Sequence, residues 1–253
     1  MLFSSAHRAA AAIVCAAALT SLTACANTAT SGKSADSSAP PRSSATPSPS
    51  VARNGVEAKT ATQIYALSNA ANADAGSSRQ RMSRSNASSD LWVSATECTG
   101  TVKVTGIGSY RLVLKDDEAW IKPDSAFTKW LNSEAGENLL HAGTWYHGTL
   151  DSRFVQSLTS YCHTEAFTSP DNLDASTKVT KGAVTTLNGR QVVPVVMEAN
   201  GETVKWYAAV TGEPYLVAQI SSREDMTDVA YSDFGTPVNV HKPSGTIREA
   251  PKD

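Results

Sequence analysis

The chain has no uninterrupted apolar run of the roughly 20 residues that a membrane-crossing helix needs, which excludes a multi-span membrane protein. It has no excess of either charge. Twenty-two Lys and Arg stand against 24 Asp and Glu, and no segment forms a strong basic block, which argues against general nucleic-acid binding. It also lacks the signatures of common catalytic classes. There is no Gly-x-Ser-x-Gly elbow, no His-Glu-x-x-His, no phosphate-binding Walker loop and no Gly-x-Gly-x-x-Gly. Gly106-Ile107-Gly108 comes closest, but it falls at a hairpin turn without a following helix. What is present is a 41% hydrophobic composition, enough for a packed core.

The first 24 residues read as a signal peptide. His7 and Arg8 form a thin positive start, Ala9 to Leu19 is apolar, and Leu22-Thr23-Ala24-Cys25 matches a bacterial lipobox. Cys25 is therefore the expected lipidation site, and the expected location is the extracytoplasmic side of a cell membrane, held there by two or three acyl chains. Residues 25–53, rich in Ser, Pro, Ala and Thr, read as a disordered tether that cannot bury enough apolar surface to offset its ordering entropy. Residues 54–243 read as one globular domain and residues 244–253 as a tail.

Within the domain, Thr60 can cap a helix in which Ile64, Tyr65, Leu67, Ser68 and Ala71 recur at helical spacing, and Gly76 ends it. Short strands follow at residues 91–95, 101–105, 110–115 and 118–122. Asp124 can cap a second helix carrying Phe127, Trp130 and Leu131, and a third helix is expected from Asp151 to Cys162. The remainder reads as five antiparallel strands with Asn188-Gly189 and Asn200-Gly201 as hairpin turns. A sheet with one apolar face must be covered, and the helices are the available cover. The expected fold is α+β: a large curved antiparallel sheet, a half-barrel, with helices over its concave face.

Four cysteines are present. Cys15 lies in the signal peptide and Cys25 at the lipobox, so Cys98 and Cys162 are expected to pair in an exported domain. A metal site on Cys162 and His163 would lack outlying ligands at the usual spacing. The histidines His141, His147, His163 and His241 share no arrangement that points to a catalytic base. No catalytic residue, metal or cofactor is expected, and the chain is read as a non-enzyme. Trp120, Phe127, Trp130, Trp145, Tyr146 and Trp206 fall near the boundary of sheet and helices. They either pack an ordinary core or help line an apolar cavity. The residues expected to line such a cavity are Trp120, Phe127, Trp130, Leu139, Leu140 and Trp206.

The lipobox and tether, the strand Cys98-Thr99-Gly100-Thr101-Val102-Lys103-Val104, the run Trp120-Ile121-Lys122-Pro123-Asp124 and the late Tyr231-Ser232-Asp233-Phe234-Gly235 together resemble actinobacterial envelope lipoproteins. The resemblance is to the LolA-like superfamily, nearest the LppX/LprG type, over about residues 89–243. It implies a half-barrel around helices with a hydrophobic cavity that holds lipid in some members. It implies no catalytic residue. The expected partners are the membrane, through the anchor, and a lipid or other hydrophobic small molecule; nucleic acid is not one. The alternative is an envelope interaction or sensor module on the same fold, with a protein partner and no cavity.

Overall fold

A computed structural model describes residues 52–164, 177–199, 201–223 and 227–252. The signal peptide, Cys25 and nearly all of the tether lie outside the described residues. A short 3-10 turn at Val56–Ala58 leads into helix α1, Ala61–Ala75. Its start is a capping box: the Thr60 hydroxyl accepts from the Gln63 N–H while the Gln63 carboxamide oxygen accepts from the Thr60 N–H. Gly76, left-handed at φ 71°, closes it, as the sequence suggests.

Five strands then run as an antiparallel meander: β1 Ser77–Arg84, β2 Ala87–Ser94, β3 Glu97–Val104, β4 Gly108–Lys115 and β5 Glu118–Pro123. The first of these was not expected. Its segment, Ser-Ser-Arg-Gln-Arg-Met-Ser-Arg, alternates charged with uncharged side chains rather than polar with apolar ones. Helix α2, Ser125–Ala135, follows, then β6, Trp145–Thr149, and helix α3, Arg153–Thr159. The third helix is shorter than its apolar pattern implies; Ser152 caps it, and Tyr161 and Cys162 lie beyond its end.

The second half is again strand: β7 Lys178–Lys181, β8 Thr185–Leu187, β9 Arg190–Ala199, β10 Glu202–Ala209, β11 Leu216–Ser221 and β12 Asp228–Ser232. A final strand, β13 Ile247–Glu249, pairs parallel to β6, inside the stretch read from sequence as a tail. All thirteen strands belong to one open sheet in the order β13-β6-β5-β4-β3-β2-β1-β12-β11-β10-β9-β7, with β8 also on β9. The two meanders meet where β1 pairs antiparallel with β12. The fold is α+β and mostly antiparallel, and the sheet is not closed into a barrel.

All three helices pack on the sheet. Helix α1 lies against β1 and β7 and against β9 to β11, α2 against β4 and β5, and α3 against β5. Two cores result. One gathers Leu91, Val93, Val102, Leu112 and Ile121 with Phe127 and Val155. The other gathers Ile64 and Tyr65 with Val193, Val195 and Ala208. Cys98 and Cys162 form a disulfide with a Cα–Cα distance of 6.0 Å, joining β3 to the segment after α3. On the opposite face of the sheet, Val113, Trp120 and Trp145 are covered by Val238, Val240 and Ile247.

Helix α2 is fixed at its start by one carboxylate. Asp124 accepts from the Phe127 N–H at 2.7 Å, the Ser109 N–H at 2.9 Å and the Ser109 hydroxyl at 2.8 Å. Burial alone would raise its pKa, but these hydrogen bonds hold it below the ordinary carboxylate value. Asp124→Ala should therefore cost about 1–2 kcal/mol near neutral pH, measured by urea unfolding. A lowered folded-state pKa stabilises above the unfolded pKa of about 4, and that contribution is lost as pH falls through the folded value. The gap between wild type and variant should narrow below about pH 4. A gap that stays constant with pH would show that the hydrogen bonds do not favour the charged form.

Candidate functional site

In a strand, alternate residues share a face, and directly paired residues on neighbouring strands share it too. Leu91 and Val93 face the helices, since they belong to the core under α2 and α3. Their partners on β1 are Gln80 and Ser78, and Met82 pairs with Ser89. On the other side of β1, Gln80 pairs with Tyr231 and Met82 with Val229. The helix-facing surface therefore changes character midway between the two cores. There Ser78, Gln80 and Ser89 are buried among Met82 and Val229. The other face of the same strands carries Arg79, Arg81 and Asp90, with the Asp90 carboxylate bridging to the Arg79 guanidinium at 2.7 and 2.6 Å. That hydrogen-bonded pairing holds the Asp90 carboxyl below its ordinary pKa.

Several of the inward polar groups are unpaired. The Gln80 amide nitrogen and the Ser89 hydroxyl are buried without a hydrogen-bond partner, and so is the Ser68 hydroxyl on α1. A buried polar group without a partner costs about 1–3 kcal/mol, so such groups call for an explanation. A pocket of about 220 Å3 lies at the β1–β2 hairpin next to Ser89, bounded by Met82, Arg84, Ala87 and Ser88 and by Ser160, Tyr161 and His163 after α3. Two other depressions are more open. One, of about 610 Å3, runs over α2 between Ser125, Lys129, Asn132 and Glu137. The other, of about 430 Å3, lies on α1 beside Gln63 and the exposed Leu67.

The six residues expected to line a cavity fall in different places. Phe127 is buried under α2, with Tyr110 at 5.1 Å and Trp130 at 5.7 Å between ring centres. Trp130 itself is 39% exposed. Leu139 is half-buried, and Leu140 is buried just after α2, where the Asn132 carboxamide donates to its C=O and accepts from its N–H. Trp206 is half-buried under α1, edge-on to Tyr65 at 5.5 Å. Trp120 is on the far face of the sheet, stacked with His147 at 5.2 Å. Strand β5 is buried on both faces, so its alternation does not reveal which side faces the helices. Phe127 and Trp130 are together; Trp206 and Trp120 are each elsewhere. Conversely, Gln80 and Ser89 were not singled out from sequence. The signal that could have found Gln80 is the uncharged position between Arg79 and Arg81; Ser89, on β2, carries no such signal.

Among the described residues no group of three His, Cys, Asp or Glu is placed to hold a metal ion, and no helix is long and apolar enough to cross a membrane. His147 lies between Glu118 at 3.5 Å and Glu249 at 3.3 Å, an arrangement that ties β13 to β5 and β6. No family model matches the chain, and no curated protein does. Solved structures do. The crystal structure of Mycobacterium tuberculosis lipoprotein LppX aligns with a TM-score of 0.50 at 12% identity, over 72% of this chain and 98% of that one. The chain has the LppX-like fold. A structure of PNGF-II matches far less well, with a TM-score of 0.23 at 8% identity over 69% of this chain and 31% of that one. The LppX-like fold agrees with the architecture expected from the sequence, an antiparallel sheet covered by helices. At this identity it speaks to fold alone.

Proposed function

We propose that the chain is a lipid-anchored envelope lipoprotein that binds a lipid or other hydrophobic ligand between its helices and the sheet, without covalent chemistry. The observation that carries this reading is the LppX-like fold, whose counterpart in the solved structures is itself a lipoprotein. The interior supports it. Two apolar cores flank a central strip on the helix-facing surface, and a pocket opens beside that strip. The anchor is Cys25, and residues 26–53 are the spacer that lets the domain work away from the bilayer. Phe127 and Trp206 pack in the two cores, one in each, while Tyr161 is the aromatic residue that lines the pocket.

The test is native mass spectrometry of the chain from Ala26 onward, exported behind a cleavable secretory signal so that neither Cys25 nor the apolar leader remains, followed by solvent extraction. The expected result is a stoichiometric adduct that partitions as lipid. A clean unliganded mass, with no uptake from a panel of phospholipids, glycolipids and triacylglycerols, would defeat the proposal. That outcome would favour the second reading, an interaction module of the envelope with a protein partner. The polar lining of the groove over α2 suits a protein surface better than an acyl chain.

A further inference from the structure

We infer that Gln80 and Ser89 form a polar subsite that receives the ester carbonyl of an acyl lipid, reached through the pocket beside the β1–β2 hairpin. The inference rests on the reading that the chain binds a lipid, and it names what in that lipid is recognised.

Gln80 is 2% exposed and Ser89 7% exposed, and both face the helices. They sit on adjacent strands one diagonal step apart: Gln80 pairs with Leu91, and Ser89 lies two residues before Leu91. Diagonal neighbours lie about 7–8 Å apart, a gap that a side chain as long as glutamine's can span. The Gln80 amide nitrogen is a donor and the Ser89 hydroxyl can act as one, and neither has a partner. Two convergent unmet donors in an apolar setting suit an oxygen that only accepts, which is what an ester carbonyl offers. An ammonium, which only donates, would leave the Gln80 amide nitrogen unmet.

The way in is also on the helix-facing surface. Met82 and Ala87 line the pocket wall, Met82 is the direct cross-strand partner of Ser89, and Ala87 is two residues from Ser89 on the same strand. An acyl lipid entering beside Tyr161 would thus reach Ser89 first and Gln80 one step further. Beyond them on the same face, Leu91 and Val93 are packed in the core under α2 and α3. The Ser68 hydroxyl, buried and unpaired on α1, which packs on β1, is a third polar group on the cover side.

The experiment uses two probes of equal heavy-atom count, methyl laurate and pentadecane, dialysed to equilibrium against the chain from Ala26 onward, exported behind a cleavable secretory signal, and quantified by gas chromatography. The ratio of ester to hydrocarbon retained is compared among wild type, Gln80→Met and Ser89→Ala, which cancels the difference in water solubility. The ratio should fall about tenfold in either variant while pentadecane retention holds. Gln80→Met should also melt no lower than wild type, because it removes a group whose hydrogen bonds are unmade in the ligand-free protein. A ratio unchanged in both variants, with pentadecane still retained, overturns the subsite but not lipid carriage; the orphan groups would then hold only water. If wild type retains neither probe, carriage fails and the subsite fails with it. Should Gln80→Met not fold, Ser89→Ala alone decides, since it removes a single oxygen.

Discussion

Removing the Cys98–Cys162 disulfide should lower the stability of the domain by about 4 kcal/mol. The bridge closes a loop with a sequence separation of 64, and the chain-entropy model assigns roughly that much to restricting the unfolded chain over such a span. For a domain of this size that corresponds to a fall in Tm of roughly 10 °C. The expected comparison is wild type against the double variant Cys98→Ala/Cys162→Ala by thermal unfolding under non-reducing conditions. Wild type in reductant should approach the variant. The effect should also be local in character. Cys162 follows α3, whose Val155 is wholly buried in the core under α2 and α3, so releasing the bridge frees the segment that bounds the pocket with Tyr161 and His163. A change below about 1 kcal/mol would mean that the unfolded chain is already held compact across this span.

The second large effect is expected at Gly100, in the middle of β3. Its φ is +151°, and a Cβ built there would lie 2.1 Å from the Asp90 carbonyl oxygen and 3.0 Å from Leu91. The side-chain-free position is flanked by Leu91 on one neighbouring strand and Leu112 on the other. Both leucines are completely buried. Gly100→Ala must push β2 away from β3 or strain the backbone, and together these should cost about 3 kcal/mol or more. Gly106→Ala is the matched control. That glycine also has positive φ, at +77°, but a Cβ there meets nothing within 4 Å, so the cost should be only about 1 kcal/mol of left-handed strain. Urea unfolding of the two variants separates a close approach from a turn. Equal costs would remove the steric argument for Gly100.

Where the chain announces its own local structure, the sequence is easily read. Thr60 with Gln63, Asp124 before Phe127, and Gly76 after α1 act through their immediate neighbours, and all three cap as their chemistry dictates. Asn188-Gly189, with both residues at positive φ, makes the hairpin between β8 and β9 for the same reason. On β10, Trp206 and Ala208 alternate with the exposed Lys205 and lie in the core that α1 covers. The elements that escaped are those whose identity depends on distant partners. Strand β1 has only Met82 as a large apolar residue and is a strand because β2 and β12 flank it. Strand β6 is short and is completed from the other end of the chain by β13. The face occupied by Trp120 was hidden because residues 238–247 make its strand buried on both sides. The candidate site was less legible than the fold, since its most informative groups, Gln80 and Ser89, matter only once the register places them one diagonal step apart on adjacent strands.

The junction of the two meanders has a consequence for how the sheet comes into being. Strand β1 is among the first elements of the domain, yet one of its two neighbours, β12, begins at Asp228, and the outer edge of β6 waits for Ile247. A chain that emerges from its N-terminus onward can zip β1 to β5 together at once, because each of those pairings joins adjacent segments. It must then hold an unpaired β1 edge and an unpaired β6 edge until almost the last residue has appeared. Open edges are templates for pairing with another chain. Arg79, Arg81 and Arg84 along β1 are therefore also a guard, giving the waiting edge charges that discourage a second copy from joining it first.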